Sequence, residues 1–465
     1  MIKTNLSVLS AAVATLLLAG CVNLAPEHQR PAAPVAAQWP QGPGAEAPGA
    51  QAAAPLQWQQ FFGDTRLREL IALALKNNRD LRVALLNVDL ARAQLGATDA
   101  NRWPTISGGL IASRSPGTDG KLTNSFQAGL QITSYELDLF GKLRNKSDAA
   151  LATALASHEG ARSAQISLVA AVASGYLALQ ADEELLALTR DTLATRGDSL
   201  KLIQLKYDNG AASALDLSSA QSSYESARAS LAQAQRTREQ DLNALTLLLG
   251  QSLPQELAPP QLLAQQQMGA LLAGLPSEVL VQRPDVLQAE QQLAAAEANI
   301  GAARAAFFPS ITLTTSAGWA SSQLSELFKN SAWSLAGNAL APIFDAGRNR
   351  ANLAAAKASR EIAVATYEKT VQTAFKEVAD ALAGRATLDE QLRAQDAQAA
   401  AEAKRLALVE LSYKNGAASS LDLLDAQRAS FAARQSALQV RLAQLQNQVQ
   451  LYKVLGGGME SGAKS

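Results

Sequence analysis

The stretch KYDNGAASALDLSSAQ at residues 206–221 recurs as SYKNGAASSLDLLDAQ at residues 412–427. Each copy contains an Asn-Gly pair, which is typical of a helix end because glycine readily takes the left-handed conformation after the last helical turn. A serine three residues before an aspartate follows, and this spacing resembles a capping box with Asp in place of Glu. The stretch therefore predicts two tight turns, and each turn joins two helices.

Further segments repeat at nearly the same offset along the chain. The matching pairs are residues 77–107 with 281–312, residues 139–152 with 345–358, and residues 245–250 with 451–456. These matches keep Gly, Pro and Asp in register, which argues against a chance similarity between alanine-rich helices. Two copies are too few for a solenoid, so the sequence predicts a tandem duplication with pseudo-symmetry.

Each copy has the same predicted order of elements: a helix, two β-strands, a very long helix and a return helix. The predicted helices cover residues 65–100, 142–207 and 213–250 in the first copy and 348–414 and 419–455 in the second, and the strands fall at about 104–140 and 309–345. At 1.5 Å per residue, a helix of about 65 residues spans roughly 100 Å. A helix of that length does not fit inside a compact globule.

A seven-residue apolar repeat predicts coiled-coil packing of the long helices. Its positions are Leu186, Leu193, Leu200 and Tyr207 in the first copy and Leu392, Ala399, Leu406 and Tyr413 in the second. Such a repeat favours left-handed supercoiling against a neighbouring helix. The alternative is an amphipathic helix on an ordinary core, which the length of these helices disfavours.

The N-terminus predicts export and lipid attachment. Residues 1–20 combine Lys3 with a short apolar run, which is the pattern of a signal peptide. The letters LAGC, ending at Cys21, resemble the bacterial lipobox, whose acylated cysteine anchors a protein to a membrane without spanning it. Val22 after this cysteine favours the outer membrane. The alternative is an ordinary signal peptide followed by a buried cysteine.

Composition and the repeat boundaries divide the rest of the chain. The predicted segments are a lipidated extended arm at 21–60, a first repeat at 61–250 with its hairpin tip at about 206–216, a connector at 251–276, a second repeat at 277–456 with its tip at about 412–425, and a flexible tail at 457–465. The arm and the connector are rich in Pro, which is typical of extended segments between packed elements.

The residue inventory excludes several classes of function. Lys plus Arg and Asp plus Glu each number 41, so no field of one sign suggests nucleic acid as a partner. Two His and one Cys leave little material for a metal site or for nucleophilic catalysis. The sequence contains no glycine-rich phosphate-binding motif. We therefore expect a passive conduit with no enzyme activity, no cofactor and no metal.

The predicted strands number four in each chain. After Cys21 no stretch offers the about 20 apolar residues that a spanning helix needs, so a crossing of the bilayer would have to use strands. A sheet in lipid has to close, and known membrane barrels need about eight strands or more. Several chains would therefore have to pool their strands. Three chains would supply twelve, but these arguments alone do not fix the number.

Six motifs occur in order along the chain. They are LAGC ending at Cys21, ELDLFGKLRN at 136–145, GLPSEVLVQRPDVLQAE at 274–290, PIFDAGRNRANL at 342–353, YKNGAASSLDLLDAQRA at 413–429 and LYKVLGGG at 451–458. Together they resemble the TolC-type outer membrane factors, in the lipoprotein (NodT/OprM-like) branch associated with RND multidrug efflux pumps. The resemblance covers the chain from Cys21 to Gly458.

The resemblance implies a mainly α fold with a membrane β-barrel part. Three copies of the duplicated helix-strand-strand-long helix-helix unit would form a homotrimer, with a 12-stranded β-barrel continuous with a periplasmic α-helical coiled-coil barrel. The implied partners are a periplasmic adaptor (membrane fusion) protein, an inner-membrane RND pump and outer-membrane lipid. The implied function is the exit duct of a tripartite efflux system in the outer membrane of a Gram-negative cell, which conducts drugs or other small toxic compounds.

The resemblance also implies a gate at the hairpin tips. Leu421, Asp422 and Asp425 match the positions that constrict the pore, and Tyr413 with Asp216 matches a latch between the two hairpins. Around a threefold axis each aspartate becomes three like charges, whose repulsion raises their pKa values and favours bound cations. The alternative for Asp422 is that it only caps its helix.

The two turns themselves consist of small residues on which an adaptor protein could pack. These residues are Gly210, Ala211, Ala212, Ser213, Gly416, Ala417, Ala418 and Ser419. The alternative is that small residues simply suit tight turns. The family pattern has an arginine where this chain has Ala418, so we expect a weaker polar latch.

Two other functions stay open beside efflux. One is an exit duct for type I protein secretion, and the other is a lipoprotein that spaces the envelope through its coiled coils without transporting anything. The lipobox and the QRPD segment that starts at Gln282 favour efflux over secretion. A spacer would not conduct ions.

Overall fold

The structure is a computed structural model that describes residues 23–40, 57–116, 120–254, 262–269, 271 and 279–457. The helices are α1 (Trp58–Phe61), α2 (Thr65–Asn77), α3 (Arg79–Ala100), α4 (Lys142–Asp208), α5 (Ala214–Leu249), α6 (Pro284–Ala305), α7 (Arg348–Lys414) and α8 (Ser420–Val454), and the strands are β1 (Ile106–Pro116), β2 (Leu122–Leu137), β3 (Ser310–Ser321) and β4 (Ser331–Leu340). The predicted signal peptide, Cys21, residues 41–56 of the predicted arm, half of the predicted connector and the tail beyond residue 457 lie outside the described residues.

The two long helices confirm the sequence prediction. Helices α4 and α7 each contain 67 residues, which corresponds to about 100 Å of helix. Neither contains a proline, and both contain many Ala and Leu residues, which favour helix. Each ends where an Asn-Gly pair stands, with φ of 73° at Gly210 and 74° at Gly416. The turn after each helix therefore needs glycine at that position.

One predicted helix is broken in the structure. A single helix was expected over residues 65–100, but α2 ends at Asn77 and α3 begins at Arg79. Between them, Asn78 has extended ψ of 132°, and its side-chain oxygen accepts from the Leu81 N–H at 2.9 Å. Its amide nitrogen donates to the Leu248 carbonyl oxygen at 2.9 Å. The asparagine breaks the helix because its side chain caps α3 and bonds the end of α5 at the same time.

Two compact units divide the chain, and neither coincides with a sequence repeat. The first unit takes its described residues from 1–32, 85–159 and 287–370, and the second from 33–84, 160–286 and 371–465. Each unit therefore combines equivalent segments of both repeats.

The first unit contains a four-stranded antiparallel sheet in the order β1-β2-β3-β4. Strands β1 and β2 come from the first repeat, β3 and β4 come from the second, and the β2–β3 pair joins the two repeats. Within the described part of the chain, β1 and β4 each pair on one side only. The sheet of a single chain thus has two free edges.

The sheet has one apolar face and one polar face. Residues paired in register share a face because side chains alternate along a strand. The apolar face carries Ile106, Leu110, Leu130, Ile132, Trp319, Trp333 and Leu335, and the polar face carries Ser107, Gln127, Gln131, Thr314, Ser316 and Ser334. Trp333 is 82% exposed and Leu130 is 59% exposed, so the apolar face is uncovered in the single chain.

A glycine pair on the two central strands leaves no space for a side chain. Gly129 on β2 stands opposite Gly318 on β3. A Cβ atom at Gly129 would lie 2.3 Å from the Ala317 carbonyl oxygen, and one at Gly318 would lie 2.1 Å from the Ala128 carbonyl oxygen. Any side chain at either position would push the two strands apart.

The substitution Gly129→Ala should therefore reduce the yield of folded protein, because the added methyl group collides with backbone atoms of β3. Gly109→Ala is the matched control, since Gly109 is the β1 partner of Gly129 and a Cβ atom there would meet nothing within 4 Å. Protease resistance and the recovered membrane fraction measure the effect. Equal yields of the two variants would contradict the tight β2–β3 contact.

The second unit has an aromatic core that collects distant parts of the chain. The Phe61 and Tyr452 rings stack with centroids 4.5 Å apart, and Phe62 packs edge-on against Phe61 at 4.8 Å. Tyr176 on α4 is fully buried, and its hydroxyl donates to the Asp64 carboxylate at 3.0 Å. Burial raises the pKa of Tyr176 above its ordinary value. These rings hold α1, α4 and α8 together.

One described helix is long and apolar enough to cross a membrane by composition alone. It is α4, and 61% of its most apolar window is buried inside the chain. A window that is mostly covered by other residues of the same chain is typical of a core helix.

Candidate functional site

The two hairpin turns have the same backbone hydrogen bonds. Gly210 N–H bonds the Tyr207 carbonyl at 2.9 Å, and Ala211 N–H bonds the Lys206 carbonyl at 2.7 Å. The equivalent bonds in the second turn run from Gly416 to Tyr413 at 3.1 Å and from Ala417 to Ser412 at 2.8 Å. This pair of bonds is the Schellman motif, which satisfies the last carbonyls of a helix.

A capping box starts each return helix, as the sequence predicted. The Ser213 hydroxyl accepts from the Asp216 N–H at 3.1 Å, and the Asp216 carboxylate accepts from the Ser213 N–H at 3.1 Å. The Ser419 hydroxyl and the Asp422 carboxylate repeat these two bonds at 3.2 and 3.0 Å. Hydrogen bonds from Ser419 hold the pKa of Asp422 below its ordinary value. Within a single chain the pKa of Asp422 is therefore lowered, whereas repulsion between the copies of a trimer is expected to raise it.

Asp216 also connects the two hairpins. Its second carboxylate oxygen accepts a hydrogen bond from the Ser420 hydroxyl at the start of α8. Hydrogen bonds from Ser213 and then Ser420 lower the pKa of Asp216. The contact thus joins the first hairpin to the second through a carboxylate that stays ionised at neutral pH.

The expected latch pair of Tyr413 with Asp216 is not formed within the chain. Tyr413 is 8% exposed, and the Lys206 ammonium lies 4.2 Å from the centroid of its ring. Tyr413 and Asp216 therefore both lie at the junction of the hairpins, but each has a different partner from the other hairpin, Lys206 for the tyrosine and Ser420 for the aspartate.

Asp425 forms an ion pair inside its own hairpin. The Arg405 guanidinium on α7 donates to the Asp425 carboxylate and also contacts Glu402 at 3.1 Å. Leu421, one turn earlier on α8, is 62% exposed. The sequence analysis missed Arg405 and Ser420. A hairpin that turns near Gly416 places 405 and 425 opposite each other, so the spacing contained this signal.

The predicted small residues at the tips are largely exposed. Among them Ala212 and Ala418 are half-buried, and Ala212 packs against a small core formed by Ile203, Ala220 and Leu424. Asp422 and Leu421 lie just beyond the second tip. The structure thus brings the candidate gate residues and the candidate tip residues to neighbouring turns.

The N-terminal arm is attached to the first unit through two buried carboxylates on α6. Arg30 donates two hydrogen bonds to Glu290, at 2.9 and 2.8 Å. His28 Nδ1 lies 2.7 Å from Glu297, which also accepts from Arg360 on α7 at 3.3 Å. Glu290 is 9% exposed and Glu297 is 2% exposed. Charges buried to this extent require partners, and the arm supplies two of them.

Replacing the arm cation should release the arm. Arg30→Met leaves the Glu290 carboxylate without its bidentate partner, and we expect a loss of about 1–3 kcal/mol in unfolding free energy. Limited proteolysis of the arm and thermal unfolding measure the effect. The double variant Arg30→Met/Glu290→Met removes both charges and should recover stability. A double variant as unstable as the single one would rule out this account of the arm.

The QRPD segment forms a buried ionic junction in the second unit. Arg283 is 7% exposed and bonds both Asp285 oxygens, at 3.0 and 2.7 Å. It also donates to Glu377 on α7 at 2.7 Å and to the Val454 carbonyl at the end of α8 at 3.1 Å. One guanidinium therefore holds together the start of α6, the middle of α7 and the end of α8.

Arg283→Met should cost about 3–5 kcal/mol of unfolding free energy, because two carboxylates and a carbonyl lose a buried cation. Arg350→Met is the control, since Arg350 is an exposed arginine on α7. Denaturant unfolding of both variants measures the difference. A loss at Arg283 no larger than at Arg350 would show that the junction does not stabilise the fold.

The comparisons with known proteins agree with this architecture. The sequence profile of the family described as Outer membrane efflux protein matches residues 70–251 and 275–457. The chain is 47% identical over 464 residues to the probable efflux pump outer membrane protein TtgC of Pseudomonas putida, covering 97% of this chain and 96% of that protein. A solved membrane protein from Pseudomonas aeruginosa superposes with a TM-score of 0.87 at 41% identity, covering 94% of this chain and all of that one.

A further solved structure is the open state of the MtrE outer membrane channel of Neisseria gonorrhoeae. It superposes with a TM-score of 0.85 at 39% identity, and the match covers 94% of this chain and 98% of that one. A duplicated, mainly helical chain with a two-faced sheet is thus the fold of outer-membrane channels. The chain belongs to the outer membrane efflux protein family. The predicted resemblance, fold class and outer-membrane localisation are confirmed.

Proposed function

We propose that this chain is the exit duct of a tripartite RND-type efflux system and that it conducts drugs or other small toxic compounds passively across the outer membrane. The observation that carries the proposal is the sheet of the first unit, with one exposed apolar face, one polar face and two free edges. A strand face of exposed Trp and Leu suits lipid, and a face of Ser, Thr and Gln suits water.

The free edges support a homotrimer. Backbone groups at a sheet edge in lipid have no water to bond, so β1 of one copy has to pair with β4 of the next. Three copies of a four-stranded sheet contain twelve strands, which exceeds the about eight strands that a membrane barrel needs. The homotrimer and its periplasmic adaptor and inner-membrane RND pump are part of the proposal.

The gate is proposed to lie at the hairpin turns. Leu421 would constrict the axis because its side chain is apolar and exposed in the single chain. Asp422 and Asp425 would form rings of carboxylates beside it. Tyr413 and Asp216 would form the latch, supported by the position of both residues at the junction of the two hairpins.

Two further assignments complete the proposal. The small residues of the tips, 210–213 and 416–419, would receive the adaptor protein, which their exposure supports. Lipidation at Cys21 would anchor the arm in the outer membrane, and the ionic contacts of His28 and Arg30 would hold the arm a few residues further on.

Planar-bilayer recording on the purified protein tests the function. An exit duct gives stepwise single-channel conductance, whereas an envelope spacer gives none. Deletion of the gene with profiling of drug susceptibility then separates efflux from protein secretion, because only loss of an efflux duct makes cells sensitive to small toxic compounds. Absence of conductance in the intact protein would refute the proposed duct.

The substitution Asp425→Asn should shift the reversal potential in a salt gradient towards anions, because each copy loses a carboxylate and leaves the Arg405 guanidinium with Glu402 alone. Asp198→Asn is the matched control, since this aspartate on α4 is 78% exposed and pairs with Lys201 at 3.3 Å. An unchanged ion preference in Asp425→Asn would exclude Asp425 from the pore constriction.

A further inference from the structure

A buried arginine in the second unit has no acidic partner among the residues that the structure describes. Arg196 on α4 is 5% exposed, and its Nη1 donates to the Ser223 carbonyl oxygen on α5 at 3.0 Å. Its guanidinium carbon lies 5.8 Å from the centroid of the Phe431 ring on α8. Its Nε–H has no acceptor among the described residues. This arginine differs from Arg283, Arg30 and Arg238, each of which bonds a carboxylate.

Other unpartnered polar groups belong to the same set of helices. The Ser223 hydroxyl on α5 and the Gln427 side-chain oxygen on α8 have no hydrogen-bond partner within the described chain. Ser223 is 8% exposed and Gln427 is 5% exposed, so neither group is compensated by bulk water. Native proteins leave few buried polar groups unsatisfied, since each costs free energy, so several at one place indicate a missing ligand.

A second cation approaches from the other hairpin. Arg428 on α8 directly follows Gln427, and its Nε donates to the Leu424 carbonyl at 3.3 Å. The burial of Arg196 lowers its pKa below the ordinary value, and the positive charge of Arg428 lowers it further. Arg196 belongs to the first hairpin and Arg428 to the second. Gln427, the residue before Arg428, donates to Ser199 on α4 at 3.0 Å, so the two like charges lie on neighbouring segments where the hairpins meet, and their repulsion opposes the contact.

We propose that Arg196, Arg428 and the Ser223 hydroxyl form a binding site for a small inorganic anion of the halide class, and that the bound anion holds α4 against α8. The free groups of Arg196 and Ser223 are an N–H and an O–H, which are donors suited to an anion. The Gln427 NH2 group is already used, since it donates to Ser199 Oγ on α4 at 3.0 Å, so Gln427 supplies no donor to the anion. An anion would also neutralise the repulsion between the two guanidinium groups.

The size of the ligand follows from the burial of the site. Arg196, Ser223 and Gln427 are all more than nine-tenths buried by the helices of one chain. Burial to this extent excludes a carboxylate side chain from a second copy, so the ligand has to be a small ion. The site lies 14 residues before Gly210 on α4, which is about 21 Å along the helix axis. The anion could affect opening of the hairpins only if the chain is the gated duct proposed above. The anion site itself does not depend on that function.

Anomalous diffraction from bromide-soaked crystals of the full chain locates the anion directly. We expect a bromide peak within hydrogen-bond distance of Arg196 Nε and Ser223 Oγ. In parallel, thermal unfolding is followed in sodium chloride and in sodium gluconate at equal ionic strength. We expect a saturable rise in Tm with chloride only, because binding to the folded state alone stabilises it.

Variants at the site separate specific binding from general salt effects. Arg196→Gln should remove the chloride-dependent rise, and Ser223→Ala and Arg428→Gln should each weaken apparent affinity by about tenfold through loss of one donor or one charge. Arg434→Gln, at an exposed arginine further along α8, should retain the full response. If Arg196→Gln does not fold, Ser223→Ala and Arg428→Gln carry the test.

Several results would overturn the anion site. They are absence of the bromide peak, a peak without any saturable change in Tm (binding at crystal concentration only), a carboxylate of a neighbouring copy at Arg196, and equal chloride responses in Arg434→Gln and the site variants. None of these readouts depends on conductance. A protein that binds bromide but forms no channel would refute the duct and support the anion site.

Discussion

The length of the two long helices governs the rest of the structure. A helix of 67 residues presents far more apolar surface than one short neighbour can cover, so α4 and α7 need partners along their whole course. The return helices α5 and α8 cover part of that surface, and α1 and α2 cover another part. Phe61 and Tyr452, whose rings stack, and Tyr176 are among the largest fully buried side chains of this packing. Because each core draws on both repeats, the compact units cross the repeat boundary.

Buried charges determine which segments are tied together. Arg283 joins α6, α7 and the end of α8, and the arm residues His28 and Arg30 neutralise carboxylates on α6. In each case a hydrophobic replacement of one partner would leave the other as an unpaired buried charge. These contacts therefore favour one arrangement of the segments over others. Arg196 differs from them, since its charge is buried and no carboxylate of the described residues pairs with it.

Local signals in the sequence were sufficient to predict the helices and turns. The Asn-Gly pair that ends at Gly210 and the serine–aspartate spacing that starts at Ser213 specify a helix end and a helix start within a few residues, so the hairpins could be placed closely. The break at Asn78 was missed because an asparagine inside a helical pattern breaks the helix only when a distant carbonyl, here that of Leu248, takes its amide.

Contacts between helices were harder to predict than the elements themselves. The Ser420–Asp216 bond depends on which faces of the two hairpins meet. A repeat sequence does not contain that information, because both copies have nearly the same pattern. The partner of Tyr413 is a lysine of the other hairpin for the same reason.

Each compact unit contains segments of both repeats, so neither repeat can complete a core alone. A polypeptide with one repeat alone would supply half of each core, so two such polypeptides would have to associate to complete both. The present chain is in this sense a covalent dimer whose halves no longer need to be identical. One half has Ser219 where the other has Asp425, and only the latter pairs with an arginine across its hairpin. Covalent linkage allows each assembled ring to alternate two kinds of turn, which a ring of identical single-repeat chains could not do.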